Sequence, residues 1–506
     1  MKIPGSASVW IVGAVALVTS VLACLRHAPA PLIHDEFSYL LAGETYAAGR
    51  LANEAHPLWE HFETMHVLQQ PAYASKYLPG QGFALAVGTW LGKPIVGVWL
   101  SMVLAAMAIT WMLEGWIARP WPLIGGLLFA LHPQFAQAWG GTYWGGGVAT
   151  LGAALIYGVL PRLLKHPGAR YAAIFVLGAF LLSITRPLEG LVAFVPIAAV
   201  LFWALGGHPK WFNGDTGAVF FAGLVGTVAF HMVQNYASTG TPLMLPYLAY
   251  HEQYEVVPLF PFLPLREAPE YLHDTLRLFF TGAVVFEYEG LQSMQGFIET
   301  VWTRVLRMSR FFYGFATVPV VLVALFSLGD ARVRLSLATV ALGAAVLSVE
   351  TFYQPHYAAP FVPAGILLAT CLAARLWDVE RWRTAVQLVM VGVLTSVLVG
   401  HWLRAEDVAR DRESYALSRR GELESSLAAD GGQHLVIVRY ADNHNPHLEW
   451  VWNAADIDRA AVVWAREMDP ERNARLTAYY LDRKVWLLEP DRDPESVTPY
   501  PVADSD

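Results

Sequence analysis

Asp35 and Glu36 stand side by side in the stretch Ile33-His34-Asp35-Glu36-Phe37-Ser38-Tyr39, eight residues past the first hydrophobic span of a 506-residue chain that is only 15% charged. Carboxylates beside hydrocarbon are costly to hold and are seldom there without a partner or a task. At a membrane surface such a group can take a proton from a hydroxyl. The same pair also reads as the first-turn acids of a helix, favoured by the helix dipole. That helix is predicted to run from Asp35 to Ala48 and to stop at Gly49-Arg50. Adjacent residues on it point about 100° apart, so the two carboxylates need not share one role.

Four further segments carry groups able to meet an anion or a sugar. In Tyr73-Ala74-Ser75-Lys76-Tyr77-Leu78-Pro79-Gly80-Gln81-Gly82, a lone Lys76 between tyrosines suits a phosphate, to which an ammonium offers charge and three donors. A snorkelling anchor in an aromatic belt is the competing reading. Arg186 and Glu189 in Thr185-Arg186-Pro187-Leu188-Glu189-Gly190 interrupt apolar sequence. They either satisfy each other at i,i+3 or leave Arg186 free to clamp a phosphate bidentately. His356 and Tyr357 open Tyr353-Gln354-Pro355-His356-Tyr357-Ala358-Ala359-Pro360, either as site residues or as belt residues. The glycines of 139–147 permit close backbone approach, and the aromatics there can stack on a sugar or simply form an interfacial turn.

The elements that must position these groups are membrane spans. The chain is 55% hydrophobic, and soluble domains carry roughly 25% charged residues. About eleven stretches approach the ~20 residues a bilayer requires: 8–25, 94–113, 120–137, 146–161, 171–186, 188–205, 215–236, 311–328, 333–350, 357–376 and 384–403. The first reads as an uncleaved signal-anchor. The apolar piece 82–91 is too short to span and reads as re-entrant or interfacial. The basic loops 161–170, 329–334 and 375–383 belong in the cytoplasm. An inside N-terminus then places the loops 26–80 and 237–310 and a tail from 404 to 506 outside, together with every candidate residue.

In the tail, Leu435-Val436-Ile437-Val438, Ala460 to Trp464 and Val485 to Leu488 read as strands, with helical patterns at 411–428 and 470–481. The expected architecture is therefore an α-helical polytopic membrane protein, 1–403, followed by a small extracytoplasmic α/β domain, 404–506. Only Cys24 and Cys371 are present, both in apolar spans, which excludes a disulfide framework. The net charge of −8 is spread out, and no basic tract or nucleic-acid module is visible.

The pattern resembles the GT-C superfamily of integral-membrane glycosyltransferases, nearest to its protein O-mannosyltransferase and aminoarabinose-transferase branch. The resemblance rests on Asp35-Glu36-Phe37-Ser38-Tyr39 with Ala42, Gly43, Gly49 and Arg50, on Ser75-Lys76-Tyr77-Leu78-Pro79-Gly80, and on His356-Tyr357-Ala358-Ala359-Pro360; it covers residues 1–400. The chain departs from that pattern in the long segment between the acid pair and Lys76, in the Tyr-Leu that separates Lys76 from Pro79, and in a tail that matches no acceptor domain.

The resemblance implies a polyprenyl-phosphate sugar donor, transfer with inversion at the outer face of a bacterial-type inner membrane, and a protein, lipid or glycan acceptor. It implies Asp35 as general base with Glu36 in support. Lys76, Arg186 and His356 would hold the donor phosphate, and Tyr39, Tyr77, Glu189 and Tyr357 would line the substrate site. No organic cofactor is expected. A divalent metal is compatible because Asp35, Glu36, His61 and Glu63 share a loop, although a hard cation needs more oxygen ligands than these. The alternative from another class is a transporter or flippase, whose broken midplane helices and internal repeats are not evident here. A non-catalytic envelope scaffold is a third.

Overall fold

Long apolar runs fold as helices because a bilayer leaves the backbone no other way to satisfy its own hydrogen bonds. A computed structural model describes residues 5–24, 31, 33–207, 214–312, 317–388, 391, 392, 395, 416–492 and 497–501. Among them, seven helices are long and apolar enough to cross a membrane: Ala7–Cys24, Pro94–Trp116, Gly147–Lys165, Pro187–Ala204, Gly214–Thr239, Ala331–Val349 and Pro355–Asp378. Shorter apolar helices cover Trp121–Ala130 and Ala169–Ser183. Phe202, Trp203, Phe221 and Leu224 are exposed on two of these helices, a surface suited to lipid rather than water.

Among the described residues the expected spans differ at two places. The stretch 120–137 is two helices, Trp121–Ala130 and Pro133–Gly140, because the residue before a proline is driven from helical geometry and His132 sits at φ −68°, ψ 118°. In the stretch 311–328 the described residues show the end of the helix Met294–Phe312 and the nine-residue helix Thr317–Leu325. Ahead of it, Met294–Phe312 is amphipathic, with Met294, Ile298, Trp302 and Val305 exposed along one side, as in a helix lying in the interface. The expected span 384–403 and the first part of the helix at 411–428 lie largely outside the described residues. The piece 82–91 belongs to a 12-residue helix, Pro79–Trp90, which is about 18 Å long and too short to span.

The tail folds as read. Strands Val462–Arg466, His434–Val438 and Lys484–Leu488 pair in parallel in that order, and Val497–Pro499 adds antiparallel to the last. His434–Val438 is central and buried on both faces, which explains its unbroken apolar run. Val436 and Val438 pack with Trp450 and Trp464. Leu435 and Ile437 pack on the other face with Leu476 and Tyr480, in a cluster that also holds Leu41, Phe62, Val67 and Tyr73 of the segment 26–80. One face of the C-terminal sheet is thus built directly onto the loop carrying the acid pair.

Candidate functional site

The acid pair opens the helix His34–Ala47, which ends where Gly49 turns the chain at φ 74°. The helix lies against Pro79–Trp90 at glycine distance. A β-carbon on Gly43 would come within 2.7 Å of Leu85 Cβ, and one on Gly82 within 2.8 Å of Ala42 Cβ. Between these helices, strands Asn53–Glu54, Val67–Leu68 and Ala72–Ser75 form a small antiparallel sheet. It delivers Tyr77 to the start of the acid helix.

Asp35 accepts a short hydrogen bond at Oδ1 from the Tyr77 hydroxyl. Its Oδ2 lies 3.3 Å from His34 Nδ1 and 3.9 Å from His66 Nε2. Burial opposes ionisation of Asp35, but the adjoining imidazoles and the Tyr77 hydroxyl overcome it, leaving the carboxyl below its ordinary range. Burial and the nearby Lys76 charge push His66 well below the usual imidazole value, so at neutral pH the pair rests as carboxylate beside neutral ring. Glu36 is buried and accepts the backbone N–H of Tyr143 at 2.9 Å. Its partner is therefore the glycine-rich turn at 139–147, through which it orders the site.

The Tyr77 ring stacks on Tyr39 at 4.3 Å, and Tyr39 leads into a cleft. Leu78, Gln81, Trp144, Gly145, Gly146, Arg186 and His356 complete much of its wall, and the cleft encloses about 370 Å³ counting its open side. The Pro79-Gly80 corner is drawn to this wall by Gly80 N–H donating to Ile184 O at 2.7 Å. Arg186 is paired with Glu189 at 3.3 Å and lies over the Tyr357 ring at 4.0 Å. Burial alone would lower its pKa, but Glu189 and the tyrosines raise it, and the guanidinium stays charged. His356 stacks on Trp144 at 4.7 Å.

Asp35, Tyr39, Tyr77, Arg186, Glu189, His356 and Tyr357 thus occupy one region. Lys76 adjoins it but faces another way. It is buried, held by Glu255 at 2.9 Å, and surrounded by the rings of Tyr77, Tyr247 and Tyr250. His61 and Glu63 are not gathered with Asp35: His61 bonds Arg466 O, and Glu63 accepts from Tyr254. The group among the described residues that could share a metal is instead His34, Asp35 and His66. His34 and Trp144 flank motifs visible in the sequence, whereas His66, Tyr247 and Glu255 carry no local signal. His447 of the C-terminal domain stacks over His34 at 5.6 Å, again a contact no spacing announces.

No protein-family model and no curated protein matches the sequence. Solved structures do. ArnT from Cupriavidus metallidurans in the apo state aligns at 13% identity over 96% of this chain and 93% of that one, with a TM-score of 0.49. The same protein bound to undecaprenyl phosphate aligns at 14% identity over 96% and 90%, also at 0.49. The Archaeoglobus fulgidus oligosaccharyltransferase, in a complex with Zn and sulfate, aligns at 13% identity over 94% of this chain and 67% of that one, with a TM-score of 0.50. Likeness at such low identity concerns the fold alone, and by that measure the chain shares the fold of the Archaeoglobus fulgidus oligosaccharyltransferase.

Proposed function

We propose that the chain is an inverting glycosyltransferase that moves a sugar from a polyprenyl-phosphate donor to an acceptor hydroxyl at the outer face of the membrane. The observation that carries this reading is the continuity from Asp35 through the Tyr77–Tyr39 stack to a cleft walled by Arg186. A fixed cation in the cleft wall and a carboxylate behind the Tyr77–Tyr39 stack that borders it suit a phosphate ligand and a proton acceptor on either side of a sugar.

In the proposed reaction the acceptor oxygen attacks the anomeric carbon from the Asp35 side and passes its proton to the carboxylate. The new carbon–oxygen bond forms as the bond from that carbon to the phosphate oxygen breaks, and polyprenyl phosphate departs. Arg186 meets the negative charge growing on that oxygen, once the donor replaces Glu189 as its partner. Lys76 serves as a second phosphate ligand by the same exchange with Glu255, and His356 borders the leaving group. Tyr39, Tyr77 and Tyr357 bound the sugar, while Glu36 shapes the cleft through the Tyr143 backbone. The loops 26–80 and 237–310 and the C-terminal domain lie extracytoplasmically, and the N-terminus is cytoplasmic. Protein, lipid and glycan acceptors all present the required hydroxyl.

The test is loss of one envelope glycan on deletion of the gene, restored by the wild-type chain. Asp35→Asn keeps size and shape but cannot take the proton; it is expected to insert normally and restore nothing. Full restoration by this variant overturns the assignment.

A further inference from the structure

The two imidazoles beside Asp35 have no task in the transfer chemistry above. His34 Nδ1 and His66 Nε2 both face Asp35 Oδ2, at 3.3 and 3.9 Å, and one ligand atom from each of the three side chains lies within 4.8 Å of the others. Both rings are more than nine-tenths buried, at 3% and 7% exposure. Neither nitrogen of His34 and not Nδ1 of His66 has a hydrogen-bond partner. An unsatisfied buried polar group costs about 1–3 kcal/mol; of these three, His34 Nδ1 is the one that faces Asp35 Oδ2, and an ion held between the rings and the carboxylate would give it a partner.

The backbone of His66 is a separate observation pointing the same way. It sits at φ 65°, the left-handed region that residues with a β-carbon adopt only under constraint. Three bonds impose it. Its N–H donates to the Tyr250 hydroxyl at 2.7 Å, and its carbonyl accepts from the Ser38 hydroxyl at 2.6 Å and from Lys76 N–H at 3.1 Å. Four elements of the outer region thus converge to aim this ring at Asp35.

We propose that His34, Asp35 and His66 bind a divalent transition metal of the zinc class. The donor set decides the class. Two imidazoles and one carboxylate suit zinc and its neighbours, while calcium and magnesium require more oxygen. Bonds of about 2.0–2.1 Å to a tetrahedral ion put ligand atoms about 3.3 Å apart, which the His34–Asp35 pair already meets. Three protein ligands are also the complement of zinc sites that keep one position for an exchangeable oxygen, toward which the ion supplies Lewis acidity. The placement of an acceptor oxygen at that position rests on the glycosyltransferase reading; the site itself does not.

The experiment uses the full chain in detergent, stripped with a chelator and titrated with Zn²⁺ against a chromophoric competitor, and separately with Co²⁺ followed by its visible d–d spectrum. The wild type should take up stoichiometric Zn²⁺ and show Co²⁺ bands. His34→Gln and His66→Gln should each weaken binding by about tenfold or more and lose those bands, and His231→Gln, remote on a spanning helix, should bind as the wild type does. Failure of the wild type to bind stoichiometrically, or wild-type affinity in both site variants, overturns the proposal. Should a variant not fold, the wild-type Co²⁺ spectrum remains decisive, since an octahedral aquo-like spectrum excludes this donor set. All of these measure binding without turnover, so a negative result removes the metal and leaves glycosyl transfer to the Asp35→Asn test.

Discussion

Arg186 stands among four acidic or phenolic groups, Glu189, Tyr39, Tyr357 and Glu350, and the last of these, a buried carboxyl, tunes how strongly it can hold an anion. Glu350 is 8% exposed, and its Oε1 has no hydrogen-bond partner. Burial and then the charge of Glu189 raise its pKa to about 8, with Arg186 and Arg304 offsetting only part. At neutral pH Glu350 is therefore mostly protonated and adds no charge beside Arg186. As pH rises through about 8 it ionises and, in the proposed reaction, competes with the donor phosphate for the guanidinium. The KM for donor should climb above that pH in the wild type and stay flat in Glu350→Gln, a difference that initial-rate kinetics across pH would read directly. Arg186→Lys should raise KM at every pH, because an ammonium lacks the planar fork that grips phosphate bidentately. At this scale the i,i+3 pairing of Arg186 with Glu189 was readable from spacing, and it coexists with an arginine facing the cleft. Glu350 and His66 were not readable. Their importance comes from burial and from a positive φ, neither of which leaves a mark in local sequence.

Two helices carry the two halves of the site, and their separation is set by residues without side chains. The acid helix His34–Ala47 bears Asp35 and Tyr39, while Pro79–Trp90 brings Gln81 to the cleft wall. A β-carbon on Gly82 would stand 2.6 Å from the Tyr46 ring, nearer than packed atoms approach. Gly82→Val should cost about 1–3 kcal/mol through overpacking, seen as a lowered Tm in detergent, and turnover should fall with it as the helices are wedged apart. A Tm equal to the wild type's would show that the contact gives way. Much was legible in the sequence: the acid helix and its glycine stop, the non-spanning nature of the piece before the second span, and the three parallel strands of the tail all follow from local pattern, whereas Val497–Pro499 does not. The broken stretch 120–137 was not, because its hydropathy is continuous and only Pro133 marks the break. Lys76 shows the same limit, since its partner Glu255 lies 179 residues along the chain.

The C-terminal domain is built into the loops around the acid helix rather than hanging from them. Phe37 of the acid helix stacks on Trp452 at 4.5 Å, and Glu44 accepts Ala455 N–H at 2.9 Å. Arg466 ties the most distant parts together. Buried at 2% exposure, it is ion-paired with Glu449 and donates to Glu63 O at 2.6 Å and to Thr275 Oγ1 at 2.7 Å, joining the C-terminal sheet to the segments 26–80 and 237–310. The strand read from the sequence, Ala460 to Trp464, stopped two residues short of Arg466, and nothing in it announced this junction, whose partners lie about 190 and 400 residues away in the chain. Removing one member of a buried pair leaves the other charge stranded, at a cost of about 3–5 kcal/mol. Arg466→Ala should therefore lower the Tm sharply and open the first outer loop to protease. Arg439 offers the contrast: its pairing with Glu467 is on the surface, with the guanidinium 44% exposed, and such pairs are worth about 0–1 kcal/mol. Arg439→Ala should leave both melting and proteolysis near the wild type. Equal behaviour of the two variants would mean that the Arg466 junction does not hold the domain to the loops. Then the alignment of Phe37 and the acid helix would have to come from the membrane helices alone.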